Sequence, residues 1–168
     1  MSTLEVKAIQ APTGYTLSMP SSAKNKPAFG VIHTGTASVS DNVQTKITFN
    51  TVEFNDDSAW DTTNNRFIVP SGKAGDYFFM FTGTARDTSN AMSGFYLEFR
   101  KNGSTTEHQT NSLPSYIGGN ARNWSANSTF FDNLAVGDYI EVFIKINGNS
   151  DSSTMVERPR FTGFKLIT

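Results

Sequence analysis

Apolar residues recur at every second position along most of the chain. In "DYIEVFIKING", Ile140, Val142, Ile144 and Ile146 alternate with Glu141, Phe143, Lys145 and Asn147, the period of a β-strand with one buried face. The same reading predicts strands near residues 4–10, 28–33, 45–54, 66–69, 76–85, 94–101, 128–134 and 160–167. Turn-forming clusters such as "NDDS", "PSGKAGD", "KNGS", "AVGD" and "INGNS" separate them. No window carries the apolar spacing of an amphipathic helix, and no fixed-period repeat or collagen-like Gly-X-Y tract is found. Short strands at this spacing predict an all-β chain folded as an antiparallel sandwich or jelly roll.

One stretch breaks the alternation. In "GDYFFMFTGTA", Tyr77, Phe78, Phe79, Met80 and Phe81 are apolar in succession, so both faces of the strand need cover. If one face fills the sandwich interior, the other lies against a second subunit or beneath a long loop. Leaving three aromatics in water would forgo several kcal/mol at roughly 25 cal/mol per Å2. The expectation is therefore an intersubunit wall made by Tyr77, Phe79 and Phe81, with Tyr96 beside it. Tyr96 comes from "GFYLEFR", where Phe95, Leu97 and Phe99 oppose Tyr96, Glu98 and Arg100, a strand with a mixed outer face.

Composition narrows the partners. A chain of 168 residues fits one domain with an ample core. Fourteen Lys plus Arg against fifteen Asp plus Glu leave a net charge of -1, too little field to draw the chain to nucleic acid or an anionic membrane. Cysteine is absent, which excludes disulfides, cysteine-ligated zinc and a thiol nucleophile. "MSTLEVKAIQAPTG" lacks a basic region followed by an apolar run, and no stretch approaches the roughly 20 apolar residues that span a bilayer. Near "SMPSSAKNKP" the composition shifts to linker-forming residues. A boundary there divides an N-terminal attachment segment and linker, residues 1–26, from a knob, residues 27–168.

The knob's landmarks occur in a telling order: "PAFGV", "ITFNTVEFN", "WDTTNNRFIVPSGKAGDYFFMF", "LEFRKNGS", "STFFDNLAVGDYIEVFIK" with its Gly137-Asp138 turn, and "RFTGFKLI" at the end. This order resembles the complement C1q globular head within the tumour-necrosis-factor-like jelly rolls. The resemblance covers residues 27–168 and implies a homotrimer. Two departures are the missing collagen stalk and the missing cysteine that many such domains carry. Separately, "MSTLEVKAIQAPTGYTLSMP" resembles the opening of tailed-bacteriophage fibre and appendage proteins. Leu4, Val6 and Ile9 then read as an attachment strand for a neighbouring virion protein, since strand addition supplies a ladder of backbone hydrogen bonds.

Candidate chemistry is sparse. His33 in a predicted strand and His108 in a predicted loop belong to no nucleophile elbow, metalloprotease helix or phosphate-cradling loop, so no catalytic residue and no cofactor are expected. Asp56, Asp57 and Asp61 could offer oxygens to calcium, but they lack the alternating spacing of a dedicated loop, and turn capping accounts for them; no metal is predicted. Asn102, Asn123 and Asn127 open glycosylation sequons. With 15 Asn and 38 Ser plus Thr in 168 residues, that number is what chance supplies.

Binding fits the inventory better. The segment "SYIGGNARNWSANS" combines Tyr116 and Trp124 as stacking surfaces with Asn120 and Arg122 as planar hydrogen-bonding groups, as a sugar or protein surface requires. An aromatic folded back to cap the sandwich is the plainer alternative for Trp124. Two functions remain open. One is a virion structural protein: a trimeric fibre or capsid-decoration knob anchored by residues 1–26, with possible host-surface glycan or protein binding. The other is a free, extracellular lectin-like trimer.

Overall fold

The computed structural model describes residues 13–14, 25–88, 92–104, 108–111, 123–148 and 154–167. Twelve strands run through them: β1 (Ala28–Ile32), β2 (Thr36–Val39), β3 (Thr45–Lys46), β4 (Thr51–Asn55), β5 (Trp60–Asp61), β6 (Arg66–Ile68), β7 (Gly75–Asp87), β8 (Gly94–Lys101), β9 (His108–Asn111), β10 (Asn123–Leu134), β11 (Tyr139–Asn147) and β12 (Thr154–Lys165). They form two antiparallel sheets. The first has the order β10-β7-β12-β1-β4 with β2 also on β12, and the second the order β5-β6-β11-β8-β9 with β3 also on β11. From β9 onward successive strands alternate between sheets, and the all-β sandwich expected from the periodicity is what results.

The predicted 45–54 strand is two strands in different sheets: β3 pairs with β11, and β4 with β1. The "NVQTKITFNTVEFN" stretch has enough β-formers for one long strand, but it crosses from one sheet to the other between Lys46 and Thr51. Five further differences concern strands. β2, β5 and β9 were not predicted, β10 begins at Asn123 rather than near 128, and β12 begins at Thr154 rather than near 160. His108 therefore stands in a strand, not a loop, and Trp124 lies on β10. The predicted strand at residues 4–10 lies outside the described residues.

The core is aromatic. Phe29 stacks on Trp60 and Phe67 at 5.3 and 5.2 Å and meets Phe161 edge-on at 4.9 Å. Phe130 lies between Phe79 and Phe99, at 6.0 and 5.6 Å. Offset and edge-on pairs of this kind add to the burial itself. Gly163 lets the rings meet, because a Cβ there would stand 2.4 Å from a Phe79 ring carbon and 2.8 Å from one of Phe29. The glycine of "FTGF" is thus fixed by close approach rather than by backbone freedom.

Candidate functional site

Along β7 the five consecutive apolar residues divide between core and surface, but opposite to the expectation. Tyr77, Phe79 and Phe81 are fully buried in the chain's own sandwich. They therefore cannot also wall a subunit boundary. The outward residues are Phe78, half-buried, and Met80, 38% exposed. Tyr96, the fourth residue expected at the interface, is half-buried on the outer face of the other sheet. Periodicity separated the two sets of side chains correctly; which set pointed inward depended on where β12 and β10 pair with β7.

Register brings the outward apolar residues together. Phe131, Phe78, Phe164 and Ala28 form one row across β10, β7, β12 and β1, and Thr129, Met80, Thr162, Gly30 and Phe54 form the next. The Phe78 and Phe164 rings are 5.6 Å apart. The Phe54 ring lies over Gly30, where a Cβ would approach it to 2.4 Å. Phe131 is 59% and Phe54 47% exposed. The outer face of the first sheet thus carries a contiguous apolar patch at its β1 entrance.

The outer face of the second sheet is built differently. Arg100 lies over the Phe143 ring at 3.8 Å and bonds the nearly buried Glu98 at 2.8 Å. Gln44 also donates to Glu98, at 2.7 Å. Arg66 lies over Tyr139 at 4.2 Å, Lys145 over Tyr96 at 5.5 Å, and Lys46 pairs with Glu141. Each of these cations already has an aromatic face or a carboxylate, so this surface satisfies itself and leaves little apolar area seeking cover.

Trp124 pairs with Ala85, whose side chain points into the sandwich, and its half-buried ring packs against the core. It is not the freely presented stacking surface the sequence suggested; the plainer alternative of an aromatic folded inward is what the strand register produces. Tyr116, Asn120 and Arg122 lie outside the described residues.

The acidic group is engaged within the chain. Asp56 pairs with Lys26 at 2.9 Å and Asp57 with Lys73 at 3.0 Å. Asp61 accepts from the Thr63 and Asn64 backbone N–H groups, at 3.1 and 3.0 Å, and from the Asn64 amide at 2.7 Å. The Asn64 bonds, opposed in part by desolvation and aided by Arg66, hold its carboxyl below the usual range. For Asp61 this is turn capping, as the residue types suggested; the Asp56 and Asp57 carboxylates instead pair with lysines. His33 is equally local: its Nδ1 lies 2.9 Å from the Thr48 carbonyl oxygen, so Nδ1–H is the donor. The Tyr77 hydroxyl donates to the Lys73 carbonyl at 2.7 Å, and burial, with the Asp57 charge, pushes its pKa up.

Among the described residues no helix is long and apolar enough to cross a membrane. No curated protein sequence matches the chain. Among solved structures, the globular domain of a zebrafish complement 1qA protein superposes with a TM-score of 0.56 at 16% identity, over 84% of this chain and 98% of that one. The Eiger tumour necrosis factor of S. frugiperda does so with a TM-score of 0.54 at 15% identity, over 83% and 91%. At such identities these likenesses speak for the jelly-roll fold alone. The C1q domain model matches residues 28–166, which takes in both sheets, the "FTGF" ending and the apolar outer face, and the chain therefore belongs to the C1q domain family.

Proposed function

We propose that the chain is a homotrimeric binding knob whose copies associate through the outer face of the first sheet. C1q and tumour-necrosis-factor-like domains form trimeric protein-binding modules and are in general not enzymes. The observation that carries the reading is the contrast between the two outer faces: one presents Phe131, Met80 and Phe54 to water, while the other stacks its cations on its own aromatics. An apolar sheet face of this kind gains from burial against neighbouring copies of the chain around a three-fold axis. Light scattering at micromolar concentration tests it; a monomer would refute it.

The biological setting follows from the N-terminal segment. Its resemblance to phage appendage proteins supports a virion structural role, with residues 1–26 attaching the knob to a neighbouring virion protein. Pro27 leads into β1 beside β12, where the Lys165 N–H bonds its carbonyl, so the segment leaves the knob at the edge of the apolar patch. Membership of the C1q family favours the second reading, a free extracellular binding module. Deleting residues 1–26 separates them. The truncated knob should fold and fail to join particles in the first case, and should keep its ligand in the second.

A further inference from the structure

The same outer face has a polar half that the apolar patch does not explain. β12 carries one extra residue between Glu157, opposite Thr84, and Arg160, opposite Thr82. This bulge turns Pro159 inward beside Gly83, where an added Cβ would stand 3.4 Å from the Pro159 Cα and 2.9 Å from a methyl carbon of Val156. Arg158 is turned outward, because β12 is an interior strand whose inner face is core, and Arg158 is exposed. Its φ is 46°, in the left-handed region that an L-residue rarely adopts and that a following proline disfavours further. Its N–H is fixed to the Gly35 carbonyl at 2.7 Å. The strand thus holds a strained arginine in place, and strain of this kind collects at sites of function.

The guanidinium it presents is unmatched. Among the described residues every other arginine has a carboxylate of this chain: Arg66 has Asp61, Arg86 has Glu157, Arg100 has Glu98 and Arg160 has Glu53. Arg158 has none. Among the described residues around the bulge, the face therefore carries Arg86, Arg158 and Arg160 against Glu157 and Glu53, one positive charge in excess. The outward carboxylate at the far end, Asp76, is seven residues from Gly83 along β7, about 23 Å at the rise of a strand. That is well beyond a Debye length of about 8 Å. Copies associating through this face would bring the excess together, and exchange of partners between identical copies cannot remove it. A guanidinium closed off from water without a counter-charge is costly.

We infer that Arg158 holds a free oxyanion of the sulfate or phosphate type in the polar half of this face, and that association of the copies closes over it. The inference rests on the association proposed above. Guanidinium is suited to the task, since its planar donors match an oxyanion in pairs. The Ser125 and Asn127 side chains, exposed on β10 opposite Thr84 and Thr82, lie on the same face as further polar groups.

The test uses the full chain in chloride, titrated with sodium sulfate at constant ionic strength, with heat of binding and light-scattering mass read together. Arg158→Asn removes the guanidinium with a residue that tolerates the left-handed conformation, and Arg158→Lys keeps the charge without the fork. Sulfate should shift the association midpoint to lower protein concentration by about tenfold, the scale of one charge-assisted contact. Arg158→Asn should lose both the shift and the heat while folding as well as the parent, and Arg158→Lys should keep part of each. An unchanged sulfate response in Arg158→Asn, or no response in the parent, overturns the inference. If the parent is a monomer in both salts, the association reading fails by itself. In that case a heat of sulfate binding lost in Arg158→Asn still supports the anion site, and its absence overturns it.

Discussion

Replacing Phe131 and Met80 together by threonine should dissociate the assembly without unfolding the knob. Phe131 is 59% and Met80 38% exposed in the single chain. With about 200 Å2 for a large side chain, these fractions leave roughly 120 and 75 Å2 in water. At about 25 cal/mol per Å2 their burial between copies is worth about 3 and 2 kcal/mol per protomer. If only half of that survives the costs of association, about 2.5 kcal/mol is lost, well over tenfold in the association constant for each protomer. Threonine retains strand propensity, so the isolated knob should change by less than about 0.5 kcal/mol, as surface positions do. Size-exclusion chromatography with light scattering gives the mass, and thermal unfolding gives the stability. A parent protein that runs as a monomer, or a double variant that keeps the parent's mass, would refute the reasoning.

Phe79→Ala should act on the other side of the same strand: with its ring fully buried among Phe29, Phe67 and Phe130, it should cost about 3–5 kcal/mol in denaturant melts, lost as folding rather than as mass. Gly163→Ala should cost about 1–3 kcal/mol by the same measurement, because its methyl would meet the Phe79 ring at 2.4 Å. Trp124→Ala should lower the melting temperature measurably, since the ring packs on the core; an unchanged melt would return the tryptophan to the surface role. Asp138 is held below its ordinary 3.8 chiefly by the Asn102 amide. A carboxylate depressed in the folded state contributes stability that is present above the unfolded value and lost as pH falls through the folded one. Asn102→Ala should therefore flatten stability against pH below about 4, read by thermal melts across that range, and an unchanged slope would count against the assignment.

The sequence by itself determined the fold class and most of the strands, because a period of two and turn chemistry are local properties. It also separated Tyr77, Phe79 and Phe81 from Phe78 and Met80, since alternation is a backbone rule. It could not say which set faced inward. That was decided by β12 and β10 pairing on either side of β7, strands some 50 to 90 residues away in the chain, and the aromatic count favoured the wrong face for the interface. For the same reason the turn role of Asp61 was legible, three residues from its Asn64 partner. The cations that occupy Asp56 and Asp57, from Lys26 and Lys73, were not. Trp124 looked like a loop residue because Asn, Gly and Ser surround it, and only pairing with β7 drew it into a strand. Arg158 left no trace in the sequence beyond "ERPR": its outward, unmatched charge exists only because β12 bulges between two neighbours, and register between distant strands is a property of the whole sandwich.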